Sequence, residues 1–163
     1  MSKTLFLMLV AAFFSIALPA FAEQSATQTQ VSTSGTLEMR LTDAKQKDGV
    51  VTIKSVVKNI SGQKQPIHLC YQGAYLLDQK DKKKYMPLKD TEGEIIGGPK
   101  DFNSGCNGGG LDRHLVNEQQ AILWLRFPAP VSQASEVDCV FPNFLPFEDV
   151  VIQNASKVGN NGG

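Results

Sequence analysis

Past residue 22 the chain has no second long apolar run, which excludes a helical membrane anchor in residues 23–163. It has no surplus of either charge: 16 basic residues face 16 acidic ones. That balance gives no electrostatic reason to seek nucleic acid or anionic lipid. Helical periodicity is also missing, since no later stretch repeats apolar side chains every three to four positions over three turns. Cysteine is scarce, and none of Cys70, Cys106 and Cys139 forms a Cys-x-x-Cys pair, so a thioredoxin-like motif is excluded. There is no Gly-x-Ser-x-Gly, which removes the serine-hydrolase elbow. The two histidines, His68 and His114, fit no standard zinc spacing. No catalytic residue, metal site or cofactor is therefore expected, and the chain reads as a non-enzyme.

What is present begins with residues 1–22, MSKTLFLMLVAAFFSIALPAFA. Lys3 supplies a positive start, Leu5 to Leu18 an apolar run, and Ala20-Phe21-Ala22 the small residues of a cleavage site. This reads as a cleavable export signal, too short for a stable span. Cleavage before Glu23 removes one base, Lys3, for a mature net charge of about −1. The expected location is periplasmic or secreted. Residues 23–34 are rich in Gln, Ser and Thr and read as a flexible leader, and residues 155–163 as a disordered tail, because neither can bury enough apolar surface to offset its ordering entropy. The folded domain is then 35–154.

Inside it, period two dominates. Leu37, Met39 and Leu41 alternate with Glu38, Arg40 and Thr42, the pattern of a half-buried strand. Asp48-Gly49 is a hairpin signal. Further strands are predicted over Val50–Asn59, over Ile67–Leu77 with a kink at Gly73, over Lys84–Leu88, Gln119–Phe127 and Glu136–Phe141, and over Val150–Gln153. About seven strands and no helix predict an all-β, immunoglobulin-like antiparallel β-sandwich. Residues 89–118, with seven glycines, read instead as one long loop.

Three stretches carry a resemblance. They are Val50–Gly62 with its Lys-Asn-Ile-Ser-Gly ending; Tyr75-Leu76-Leu77-Asp78 followed by Lys84-Tyr85-Met86-Pro87-Leu88; and Phe127-Pro128-Ala129-Pro130 with the close from Pro142 to Val150. Together they resemble a group of uncharacterised bacterial extracytoplasmic immunoglobulin-like domains. The resemblance covers most of the folded region. It implies a sandwich fold and an envelope-associated or secreted setting, and it assigns no activity.

Export makes a disulfide expected. The sequence favours Cys70–Cys106, closing a loop of about 36 residues worth about 4 kcal/mol in the chain-entropy model. Cys139 then reads as a small buried hydrophobe, and a Cys70–Cys139 bridge across adjacent strands is the rival pairing. Pinned by such a bridge, the long loop offers Phe102, Asn103, Asn107, Asp112, Arg113 and His114 as contacts. The resulting expectation is a non-catalytic binding or accessory module of the bacterial cell envelope, with an envelope or extracellular protein as partner. The alternative is a small periplasmic metal-binding protein or hydrolase using the Cys106–His114 loop.

Overall fold

The computed structural model describes residues 27–101 and 105–154. The export signal expected over 1–22 and the tail expected over 155–163 lie outside them. The strands, in chain order, are β1 (Thr29–Val31), β2 (Leu37–Lys47), β3 (Val50–Asn59), β4 (Gln65–Cys70), β5 (Tyr75–Asp78), β6 (Lys83–Tyr85), β7 (Gly97–Gly98), β8 (Gly110–Leu115), β9 (Gln120–Pro128), β10 (Glu136–Val140), β11 (Phe147–Val151) and β12 (Gln153–Asn154). The architecture is the all-β sandwich that the alternation predicts, with antiparallel sheets packed against each other. It is built from more strands than the seven expected, several of them two or three residues long.

The first sheet runs β1-β2-β3-β9-β7, with β12 pairing β2 in parallel. Its centre is β3 against β9, where Val51, Ile53 and Val57 share the inner face with Ala121, Leu123, Leu125 and Phe127. β2 and β3 form a hairpin closed by Asp48 (φ 50°) and Gly49 (φ 77°), so both central residues are left-handed, as a type I′ turn requires. β2 is longer than predicted. Its register shifts between Leu41 and Asp43, and the buried series moves from Leu37, Met39, Leu41 to Ala44. A bulge inserts one residue and so reverses the parity.

The second sheet runs β11-β10-β5-β6, and β4 pairs β8 as a separate two-stranded ribbon. One apolar cluster joins all three, including Met39, Leu76, Leu111, Leu123, Cys139 and Phe147. Each fully buried side chain of this kind contributes about 1.5–3 kcal/mol.

Three expectations are corrected. The segment predicted as one strand over Ile67–Leu77 is two, β4 and β5, in different sheets; a 3-10 turn at Tyr71–Gly73 carries the chain between them. The leader expected over 23–34 is structured in its described part, where β1 pairs Glu38–Arg40 of β2 and Ser32 is buried, accepting the Leu37 N–H at 3.1 Å. The supposed loop 89–118 contains β7 and β8. At Gly97 the glycine serves close approach: an added Cβ would stand 2.8 Å from the Trp124 carbonyl oxygen. β7 also half-covers Trp124, whose indole packs on Gly98 and lies beneath the Arg126 guanidinium at 5.6 Å from the ring centroid.

Candidate functional site

The β4–β8 ribbon brings together a disulfide, a histidine and two charged side chains. In a strand, residues two apart share a face. His68 and Cys70 are such a pair on β4, and their cross-strand partners on β8 are Asp112 and Gly110. Cys106 arrives from the turn before β8 and bridges Cys70, with 5.2 Å between the Cα atoms. Gly110 makes this possible, since a Cβ there would lie 2.7 Å from the Cys106 Sγ and from the Leu69 carbonyl oxygen. Cys139 remains a thiol, wholly buried in the core, where desolvation first and nearby Asp138 second push its pKa far up. The pairing is thus Cys70–Cys106, and the Cys70–Cys139 rival is set aside because Cys139 faces the core.

His68 lies across the bridge. Its Nε2 is 3.5 Å from the Cys70 Sγ and 4.0 Å from the Cys106 Sγ, and its Nδ1 is 3.5 Å from the Asp112 Oδ2. The imidazole is 56% exposed and the Asp112 side chain 39%. The residues offering ligand atoms within 4.8 Å of one another, among the described ones, are His68, Cys70 and Cys106.

The turn carrying Cys106 is held at several further points. Asp101 donates its backbone N–H to the Gly110 carbonyl at 2.9 Å. Its carboxylate accepts from the Asp112 N–H at 2.7 Å and from the Arg113 Nε at 2.9 Å, with the Arg113 Nη2 on the other oxygen. Those Arg113 hydrogen bonds hold the Asp101 carboxyl below its ordinary range, against the opposing effect of burial, and raise the Arg113 guanidinium in return. Tyr71, buried beneath, donates its hydroxyl to the Pro99 carbonyl; burial first and Asp101 second push its phenol well up, so it stays a donor. An open groove of about 350 Å³ runs along β4, lined by Ser34, Gln65, Pro66, His68 and Asn143 among others.

The predicted contact residues divide. Phe102 and Asn103 lie outside the described residues. Asn107 is exposed on the turn. Asp112, Arg113 and His114 are on strand β8 rather than in a loop. Arg113 is committed to Asp101, and Asp112 faces His68. His114 is exposed beside Pro66 and is not in the His–Cys cluster. The histidine on the bridge is His68, which the sequence reading does not select. Its signal is the His-x-Cys spacing on a predicted strand, which puts any bridge at Cys70 beside the imidazole.

Fold and site define an all-β sandwich with a disulfide-bridged ribbon carrying a His–Asp pair. Comparison of the chain with protein-family models, curated proteins and solved structures gives no match.

Proposed function

We propose that this protein is an exported, non-catalytic binding or accessory module of the bacterial cell envelope, periplasmic or secreted. It docks an envelope or extracellular protein through the Cys106 turn and the exposed face of β8 that follows it. The observation that supports this reading is the fixation of the Cys106 turn by the disulfide, by Asp101 and by Arg113. A surface ordered in advance loses little entropy on binding, and this one presents Asn107 and His114 to solvent. The disulfide fits an oxidising compartment. Among the described residues no helix is long and apolar enough to cross a membrane. The resemblance of the Val50–Gly62, Tyr75–Leu88 and Phe127–Val150 stretches to extracytoplasmic immunoglobulin-like domains points the same way.

Affinity capture from an envelope extract, with the intact mature chain as bait, tests the docking surface. Asn107→Arg and His114→Glu change exposed side chains and should each weaken capture at least about tenfold, as truncation of a dominant interface contact does. A partner retained in full by both variants places docking elsewhere. The exported product should begin at Glu23, and a cytosolic product keeping Met1 refutes export.

A further inference from the structure

The groups around the Cys70–Cys106 bridge have a second chemistry. Zinc takes imidazole nitrogen at about 2.0 Å and thiolate sulfur at about 2.3 Å in tetrahedral sites, which puts adjacent nitrogen and sulfur ligands about 3.5 Å apart. The His68 Nε2 already stands 3.5 and 4.0 Å from the two sulfurs. Only the sulfurs must part, and reduction permits that. The geometry points to a redox-gated zinc site in which His68, Cys70 and Cys106 bind one Zn²⁺ when the bridge is reduced and release it when the bridge is oxidised.

Three features of the fold support the site. Asp112 faces the other ring nitrogen, Nδ1, at 3.5 Å. That is the carboxylate–histidine–metal arrangement, in which the carboxylate fixes the ring and leaves Nε2 for the ion. Gly110 keeps the space over β8 open for the Cys106 sulfur. The Asp101 contacts to Gly110, Asp112 and Arg113 involve neither sulfur, so opening the bridge removes none of them directly and they tether the Cys106 turn to β8 in a folded reduced chain. His68 and Asp112 are exposed, which gives both reductant and ion access. Three protein ligands leave the fourth position to water or an exogenous donor.

The chemistry balances with a dithiol as co-reactant. The dithiol gives two electrons and two protons to the Cys70–Cys106 bond and closes to its own disulfide, leaving two thiols on the protein. Zn²⁺ then replaces both thiol protons, two sulfur–zinc bonds form, and two protons pass to solvent. A disulfide as oxidant reverses this: it takes two electrons from the Cys70 and Cys106 thiolates and two protons from solvent to become a dithiol, the Cys70–Cys106 bond re-forms, and the neutral disulfide releases Zn²⁺.

This inference is independent of the docking reading, because its readout is metal stoichiometry. The intact mature chain is reduced with a water-soluble phosphine, desalted without oxygen, and titrated with Co²⁺ and then Zn²⁺. The expected result is one equivalent bound, with thiolate-to-cobalt charge transfer and tetrahedral ligand-field bands that Zn²⁺ abolishes. The oxidised chain should show neither. His68→Ala should lose the tetrahedral spectrum, and Asp112→Asn should weaken zinc binding by about 10–100-fold. His114→Ala should match wild type. A reduced chain that unfolds but recovers its strand circular dichroism with zinc supports the site. The inference is overturned if reduced wild type binds no more zinc than Cys70→Ser/Cys106→Ser, or if His68→Ala binds as tightly as wild type. It is equally overturned if His114→Ala abolishes binding, or if zinc fails to restore a reduced chain that has unfolded.

Discussion

Replacing Asn59 with alanine tests how the site-bearing ribbon is joined to the first sheet. Asn59 is wholly buried at the end of β3. Its Nδ2 donates to the carbonyls of Gln63 at 2.7 Å and Leu115 at 2.8 Å. Its Oδ1 accepts from the Ser61 N–H at 2.9 Å and from the Ser61 hydroxyl at 2.8 Å. One amide therefore ties β3, the turn after it and the end of β8. Asn59→Ala takes the Nδ2 donor from both carbonyls; the Gln63 carbonyl keeps the Ser61 hydroxyl at 2.9 Å, so the main loss falls on the Leu115 carbonyl, and a buried group that loses its partner costs about 1–3 kcal/mol. The Leu115 carbonyl lies deeper and belongs at the upper end. The Ser61 groups reach solvent and add about 1 kcal/mol in total. The expected loss is about 3–4 kcal/mol, a large part of the about 5–15 kcal/mol that holds a domain together. Urea unfolding followed by Trp124 fluorescence reads it as a lower midpoint at unchanged slope. Asn59→Asp gives a sign check. It keeps the shape and the Ser61 bonds but sets a carboxylate against two carbonyl oxygens. Burial raises the introduced carboxyl's folded pKa above its unfolded value. The variant's stability is then greatest below the ordinary carboxylate range and is lost as pH rises through that raised value. An alanine variant within about 0.5 kcal/mol of wild type, or an aspartate variant whose deficit ignores pH, refutes the reasoning.

Removing the bridge as Cys70→Ala/Cys106→Ala should cost about 4 kcal/mol in the chain-entropy model for a 36-residue separation, and an unchanged urea midpoint would falsify that figure. Cys139 should ignore an aromatic disulfide reagent in the native oxidised protein and react once in denaturant, since burial keeps it protonated; rapid native labelling contradicts the placement. Asp101, held below its ordinary 3.8 by Arg113, contributes stability that is present above that value and lost as pH falls through the depressed one. Asp101→Asn should thus cost about 1 kcal/mol at neutral pH, modest because the pair touches solvent, and should flatten the acid limb of the stability profile. A variant with the wild-type acid limb shows that this pair does not set it.

The sandwich is legible in the sequence because its inner strands alternate cleanly, as in β3 and β9, and because Asp48-Gly49 states its own turn. Legibility fails where local pattern and tertiary use diverge. β2 reads short because the bulge after Leu41 reverses parity, and period-two reading stops at a parity change. Ile67–Leu77 reads as one strand because both halves are apolar and only the 3-10 turn at Tyr71 separates their sheets. Gly97 and Gly110 read as loop glycines, yet each sits in a strand where another group lies too close for a side chain. The same displacement hides His68, since its partners Asp112 and Cys106 come from a segment that reads as irregular. Burial of Asn59 is invisible too, because an asparagine two residues before Ser61-Gly62 looks like a turn former.

The pairing of both β1 and β12 with β2 bears on how the molecule avoids its own kind. β2 is eleven residues long and would otherwise present a long unpaired edge. β1 covers Glu38–Arg40 of that edge and β12 covers Lys45 and Gln46. The first and last strands of the described fold thus act as two short guards on this flank of the sheet, one on each side of the bulge between Leu41 and Asp43. Shortening either end uncovers part of a ready template for another chain. Self-association by strand pairing is then held off by a handful of backbone hydrogen bonds at the two ends of the fold, so trimming at either end exposes strand edge that another chain could pair with.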